Sequence, residues 1–421
     1  MLILFFCSIL VLFGGAFEFI PTYMIPVTFI CDISIDYQYK IRYDIDTRKL
    51  VWRKQMKKLF SSVLVVLLAL TLTACSGGEK AQDGKGAEIA LITDVGTIDD
   101  RSFNQGSYEG VKQYGDENKV TYTYYRPVAK DDEAYFNEIE KAITEGGAKV
   151  VVMPGFLFAN AAFRAQQEFP DVNFIFVDGA PSETPQSEPV IGPNMYSVVW
   201  EEQQAGFLAG YAAVKDGYTK LGYIGGMKVP AVEKFGLGYV YGANHAAEEL
   251  GITVDMMYKY SGTFEASQEV QMLASGWYAS GTEVIFVSAG GAGPSVFKAA
   301  EDKEAKVIGV DVDQAGESET IITSALKELQ LAVYEGLKAH YDGKFPGGTQ
   351  HAYNINDDGV GLPKNFDRFK TFKQEDLDKV IADMKADKDG VTSAIKKQHA
   401  DDFSDVISDP ILKNINITFI K

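Results

Sequence analysis

IALITDVGTIDDRSFNQ, Ile89 to Gln105, decides the fold class of this 421-residue chain. It opens with an apolar β run, Ile89 to Ile92. An acidic, glycine-containing turn then leads into SFNQGSYEGVKQY, which reads as the start of a helix. Strand, loop and helix start in that order form the unit of a doubly wound parallel sheet. The loop then lies at the carboxyl end of the strand, where ligands of open α/β folds collect and a helix offers free backbone N–H groups. Ser102 or Asp100 can cap this helix. The loop sets Asp94, Asp99, Asp100, Phe103 and Asn104 against one Arg101, so it offers carboxylates and an aromatic ring rather than a cradle for phosphate.

Outward from this stretch the alternation continues, which argues α/β architecture with parallel sheets. Strands are expected at 88–93, 121–125, 150–153, 174–177 and 190–196, with helices at 133–145 and 159–169 between them. A second cycle follows Trp200, with helices at 201–215, 236–250, 267–280 and 294–303 and strands at 220–224, 252–258, 284–288 and 306–310. The halves share one plan. They predict two doubly wound, Rossmann-like lobes joined by a hinge, the type I periplasmic-binding-protein architecture, with crossings near 197–200 and near Glu319. Residues 88–197 and 319–345 would form the N-terminal lobe, with a helix over 326–341 returning to it. Residues 198–318 and 346–399 would form the C-terminal lobe, and 400–421 a tail without evident role.

The start of the chain is separate in character. Residues 1–55 read as a doubtful upstream extension. Met56 then begins a self-contained signal: Lys57 and Lys58, an apolar run from Leu59 to Leu72, and Leu72-Thr73-Ala74-Cys75. This resembles a bacterial lipoprotein signal peptide and lipobox, which would make Cys75 the acylated first residue and 76–87 a flexible tether. The alternative, a transmembrane pair at 2–17 and 59–72, falls short of the roughly 20 residues a spanning helix needs.

The formal charge of −18 argues against nucleic acid and anionic membrane surfaces as electrostatic partners. Residues 1–74 hold eight Lys or Arg and five Asp or Glu, so the remainder carries −21. The three cysteines, Cys7, Cys31 and Cys75, all precede the globular part, which can therefore form neither a disulfide nor a thiolate metal site.

Strand ends are where both lobes must face a cleft, and three of them carry acid: Asp94, Asp178 and Asp311. One such Asp is ordinarily a turn or cap residue. Three converging carboxylates suit the vicinal hydroxyls of a neutral sugar and repel anions. Phe103 and Phe235, one per half, each follow a polar or glycine-bearing loop; a lone Phe is ordinarily a core residue, and only a family resemblance would make the two a pair of rings stacking on a planar heterocycle. The run Gly290-Gly291-Ala292-Gly293 does not fit G-x-G-x-x-G, since read from Gly291 the third glycine falls on Val296; close backbone approach to a ligand fits better. The four histidines are scattered and none accompanies a nucleophile motif, so no catalysis, metal or cofactor is expected. Asn354 to Gly359 imitates half a calcium loop, but Asn365 stands where a bidentate Glu is required, so a turn between strands is expected.

TDVGTIDDRSFNQG (93–106) resembles the opening signature of the basic membrane lipoprotein family. FIFVDG, KFGLGYVYGA, VIFVSAGGAG, VIGVDVDQ and TSALK match the same family in order, so the likeness spans roughly 88–361. The best-known members are purine nucleoside receptors that feed ATP-binding-cassette importers. The resemblance implies a lipid-anchored protein on the extracytoplasmic face of the cell membrane, a nucleoside ligand and a permease partner. It also implies ligand contacts at Asp94, Phe103, Asn104, Asp178, Phe235, Gly291, Asp311 and Lys327. A sensor of the same fold that signals to a membrane partner is the alternative reading.

Overall fold

A computed structural model describes residues 86–421 apart from Val95. Cys75, the expected signal peptide, the 1–55 extension and most of the tether lie outside the described residues. The first sheet contains β1 (Ile89–Ile92), β2 (Tyr122–Tyr125), β3 (Val150–Pro154), β4 (Asn173–Val177), β5 (Met195–Trp200) and β11 (Thr349–Tyr353). Its order is β11-β5-β4-β3-β1-β2 and every pair is parallel. Helices α1 (Phe103–Asn118), α2 (Asp132–Thr144) and α3 (Ala159–Glu168) connect its strands. Ile89, Leu91, Val150 and Val152 bury one face, whereas Ala90, Ile92, Val151 and Met153 bury the other. Burial on both faces explains why these strands read as continuous apolar runs rather than alternating ones.

The second sheet contains β6 (Lys220–Gly225), β7 (Val254–Tyr260), β8 (Val284–Ser288), β9 (Lys306–Asp311), β10 (Ile321–Lys327), β12 (Val360–Gly361) and β13 (Ile415–Phe419). Its order is β12-β10-β9-β8-β6-β7-β13, parallel except for the β10–β12 pair. The helices of this lobe are α4 (Glu202–Lys215), α5 (Pro230–Leu250), α6 (Gln268–Ala279) and α7 (Gly293–Lys303). Helices α4 and α5 pack backbone to backbone: a Cβ on Gly206 would come 2.1 Å from the Phe235 carbonyl oxygen, and one on Gly238 2.0 Å from that of Gln203. Only glycine admits that approach.

Several expected boundaries move. The strand expected at 190–196 is β5, because Gly192-Pro193 interrupts the run and proline cannot donate to a ladder. The chain first leaves the first sheet at Glu201, next to the crossing expected near 197–200, where the Glu201 N–H donates to the Tyr353 carbonyl. No crossing occurs at Glu319, since β10 pairs with β9 in the second sheet. The return comes after Lys327, and the helix expected over 326–341 is α8 (Leu329–Tyr341), packed on α1 of the first lobe. Residues 349–353 stay with the first sheet, and the Asn354–Gly359 turn makes the third crossing to β12. The expected tail is part of the fold: β13 forms an edge of the second sheet, and Phe403 is fully buried. The charged segment before it contributes α9 (Gln374–Lys385), and the short α10 (Ser404–Ile407) precedes β13.

Candidate functional site

A cavity of about 560 Å³ lies between the two lobes and is lined by the carboxyl ends of strands from both sheets. That volume falls in the usual range for small-molecule sites, about 300–1,000 Å³. All eight expected contact residues line it: Asp94, Phe103, Asn104 and Asp178 from the first lobe, and Phe235, Gly291, Asp311 and Lys327 from the second.

The loop after β1 is ordered by its own carboxylates. Asp100, not Ser102, caps α1: its oxygens accept from the backbone N–H groups of Ser102, Asn104 and Gln105 at 2.9–3.1 Å. Burial nonetheless raises the Asp100 pKa. The Asn104 amide donates to Asp94 at 2.9 Å and to Asp100 at 3.0 Å, so Asn104 aligns the two acids. Beside them Gly155 has φ 117°, and a Cβ there would meet the Asp94 carboxylate at 2.9 Å.

The other two strand-end acids share a backbone geometry. Asp178 (φ 67°) and Asp311 (φ 65°) are both left-handed, a conformation aspartate adopts more readily than most residues. Asp311 is buried and accepts from the Ser102 hydroxyl at 2.5 Å across the cleft. Burial pushes its pKa up to about 6, helped by the charges of Asp100 and Glu202 and opposed by Lys327 and the Ser102 hydrogen bond.

Lys327, a ligand contact by the family resemblance, is buried at 2% exposure. Its ammonium donates to Asp178 and, at 2.9 Å, to Glu202, and sits 5.2 Å from the Phe103 ring centroid and 4.8 Å from that of Trp200. Glu202 also receives Lys234 at 2.9 Å. Burial works against the ionised Glu202, but the two lysines outweigh it and hold its pKa down to about 2. Asp178 shares Lys327 with Glu202; burial and the Glu202 charge push it up to about 7 against the pull of Lys327 and Lys234. The Lys327 pKa is raised, because three surrounding carboxylates outweigh its own desolvation.

Phe103 is half-buried at the first position of α1. Phe235, expected just after a loop, lies inside α5 at 2% exposure and packs edge-to-face on Phe286. It is a core residue that also lines the cavity. Two further aromatics, Phe156 and Phe264, line the cavity as well. Phe264 covers Gly226 and lies near Gly290, so the glycine loop faces a side chain as well as the open cavity. Glu202, Lys234 and Phe264 carry no local signal in the sequence: each is an ordinary helix-start or loop residue until the lobes meet.

Direct contacts hold the lobes together. Besides Ser102–Asp311 and Lys327–Asp178, Gln314 donates to the Arg101 carbonyl at 2.7 Å, Arg101 pairs with Glu317 at 3.0 Å and Lys130 with Glu265 at 2.6 Å. The last two are exposed and worth about 0–1 kcal/mol each. This is a closed cleft. Among the described residues no group of His, Cys, Asp and Glu could hold a metal ion, and no helix is long and apolar enough to cross a membrane.

A family model described as ABC transporter substrate-binding protein, PnrA-like, matches residues 87–398. An ABC transporter nucleoside-binding protein BmpA from Lactococcus lactis subsp. cremoris is 30% identical, covering 71% of this chain and 90% of its own. A protein of Pyrococcus horikoshii named as a lipoprotein is 27% identical over 72% of this chain and 76% of its own. Among solved structures, a solute-binding protein of an ABC transporter system from Aeropyrum pernix K1 superposes with a TM-score of 0.63 at 21% identity, covering 77% of this chain and 96% of its own, which speaks for the fold. The two-lobed parallel architecture, the interlobe cavity and the match over 87–398 lead to one conclusion: the chain belongs to the PnrA-like family of ABC transporter substrate-binding proteins.

Proposed function

We propose that the protein captures a nucleoside, with purines preferred as the base, and delivers it to the permease of an ABC importer. One observation carries the reading: a single cavity joins Phe103 of the first lobe and Phe235 of the second with the strand-end acids Asp94, Asp178 and Asp311. Carboxylates accept hydrogen bonds from vicinal hydroxyls, and aromatic faces accept a planar base. A phosphate would meet predominantly acidic walls. The name of the Lactococcus relative points the same way. The ligand set proposed is Asp94, Phe103, Asn104, Asp178, Phe235, Gly291, Asp311 and Lys327. Acylation at Cys75 would hold the protein on the extracytoplasmic face of the membrane; its support is the lipobox together with a relative named as a lipoprotein.

Titration calorimetry of the purified full-length protein against purine and pyrimidine nucleosides, their monophosphates and free pentoses tests the reading. Purine nucleosides are expected to bind and monophosphates not to. Binding confined to free sugars would sink it. For the anchor, a Cys75→Ala protein is expected to leave the membrane fraction.

A further inference from the structure

We propose that Glu202 is the positioning residue of the cavity: its carboxylate ties the aromatic walls of both lobes to the point where the chain first crosses between them. This rests on reading the cavity as the nucleoside site.

Glu202 opens α4 directly after the crossing at Glu201, and its side chain is 1% exposed. Its two oxygens serve different walls. Oε1 accepts from Lys327 at 2.9 Å, and that ammonium donates to Asp178 and lies over the Phe103 ring, both on the first lobe. Oε2 accepts from Lys234 at 2.9 Å; Lys234 immediately precedes Phe235 on the second lobe and also donates to the Trp200 carbonyl at 2.6 Å, at the end of β5. An acid at a helix start is commonly a partner of the helix dipole. That role needs neither burial nor two lysines. Here one carboxylate fixes both the lysine that lies over the Phe103 ring and the lysine that precedes Phe235 in α5, and only a closed cleft brings Asp178 to the first of them.

The arrangement also makes ligand capture proton-linked. The charged groups facing Asp178 are Lys327, Glu202 and Lys234. Opening the cleft returns Asp178 to water, where its pKa is ordinary; closure raises it, so closing on a ligand takes up protons near neutral pH. Removing the Glu202 charge lowers the closed-state pKa of Asp178, and removing the Lys234 charge raises it.

Inosine binding by the purified full-length protein tests this, measured calorimetrically at pH 6.5 in buffers of different ionisation enthalpy for wild type, E202Q and K234M. E202Q is expected to lose about tenfold in affinity, the scale of one charge-assisted hydrogen bond, and to take up fewer protons. K234M is expected to bind more weakly and take up more. A purely structural role would lower melting temperature without moving proton uptake in opposite directions. If E202Q does not fold, K234M decides alone, because Lys234 is partly exposed. Variants with wild-type affinity and proton uptake overturn the assignment of Glu202 while the nucleoside reading stands. A wild-type protein that binds no nucleoside overturns both.

Discussion

Ser102 Oγ donates to Asp311 Oδ2 at 2.5 Å, joining two residues 209 positions apart that belong to different lobes. The bond ties the two lobes beside the lysine network, since Asp311 pairs in register with Leu326 next to Lys327, and it gives a buried carboxylate its donor. Removing a donor that leaves a buried acceptor unpaired costs about 1–3 kcal/mol. Ser102→Ala is therefore expected to shift the ligand-free protein towards an open cleft. Small-angle scattering should show a larger radius of gyration, and ligand affinity should fall accordingly. An unchanged radius and affinity would mean that this bond does not hold the lobes together.

The two clamp rings are not equivalent targets. Phe235 is a core residue against Phe286, so Phe235→Ala is expected to cost about 3–5 kcal/mol of stability whatever it does to binding. Phe103 is half-buried at a helix start and isolates the binding term. Phe103→Ala is expected to weaken nucleoside binding by about 1–3 kcal/mol, with melting temperature nearly unchanged. Calorimetric titration beside a thermal scan separates the two effects.

Stability should have two pH-dependent branches of opposite sign. Asp178 and Asp311 are raised to about 7 and about 6, so their burial as anions is a cost above those values, relieved as pH falls through them. Glu202 is held near 2, below its ordinary 4.5, so its stabilisation is complete above 4.5 and is lost as pH falls from there towards 2. Melting temperature is expected to rise modestly from pH 8 to pH 5 and to drop below pH 4.5. In E202Q the contribution of Glu202 to that acid drop should be missing. Scanning calorimetry across this range measures it.

The glycine seam between α4 and α5 predicts a failure of packing. A Cβ at position 238 would lie 2.0 Å from the Gln203 carbonyl oxygen, with no flexible side chain to yield. Gly238→Ala should cost about 1–3 kcal/mol or more through displacement of the two helices. Gly276 on α6 has nothing within 4 Å of such a Cβ, so Gly276→Ala is the control, expected to hold or raise the denaturation midpoint, because alanine is favoured over glycine inside a helix by about 0.5–1 kcal/mol.

The sequence by itself determined the element types, because apolar runs and their periodicity are local properties: β1, β3, β8 and β9 lie within a residue or so of where their β-branched runs suggest. It also determined that acid would stand at the strand ends, since a parallel strand delivers its last residue to the cleft side of the sheet. Tertiary structure decided allegiance. Ile321–Lys327 gives no strand expectation in the sequence, where 319–345 reads as a return to the first lobe with a helix from 326, and only its ladder with β9 assigns it to the second lobe. Ile415–Phe419 has no partner signal until β7 is beside it. The same holds for Glu202 and Lys327: a charged side chain carries no sign in the sequence that it will be buried, because burial depends on a counter-charge supplied from more than a hundred residues away.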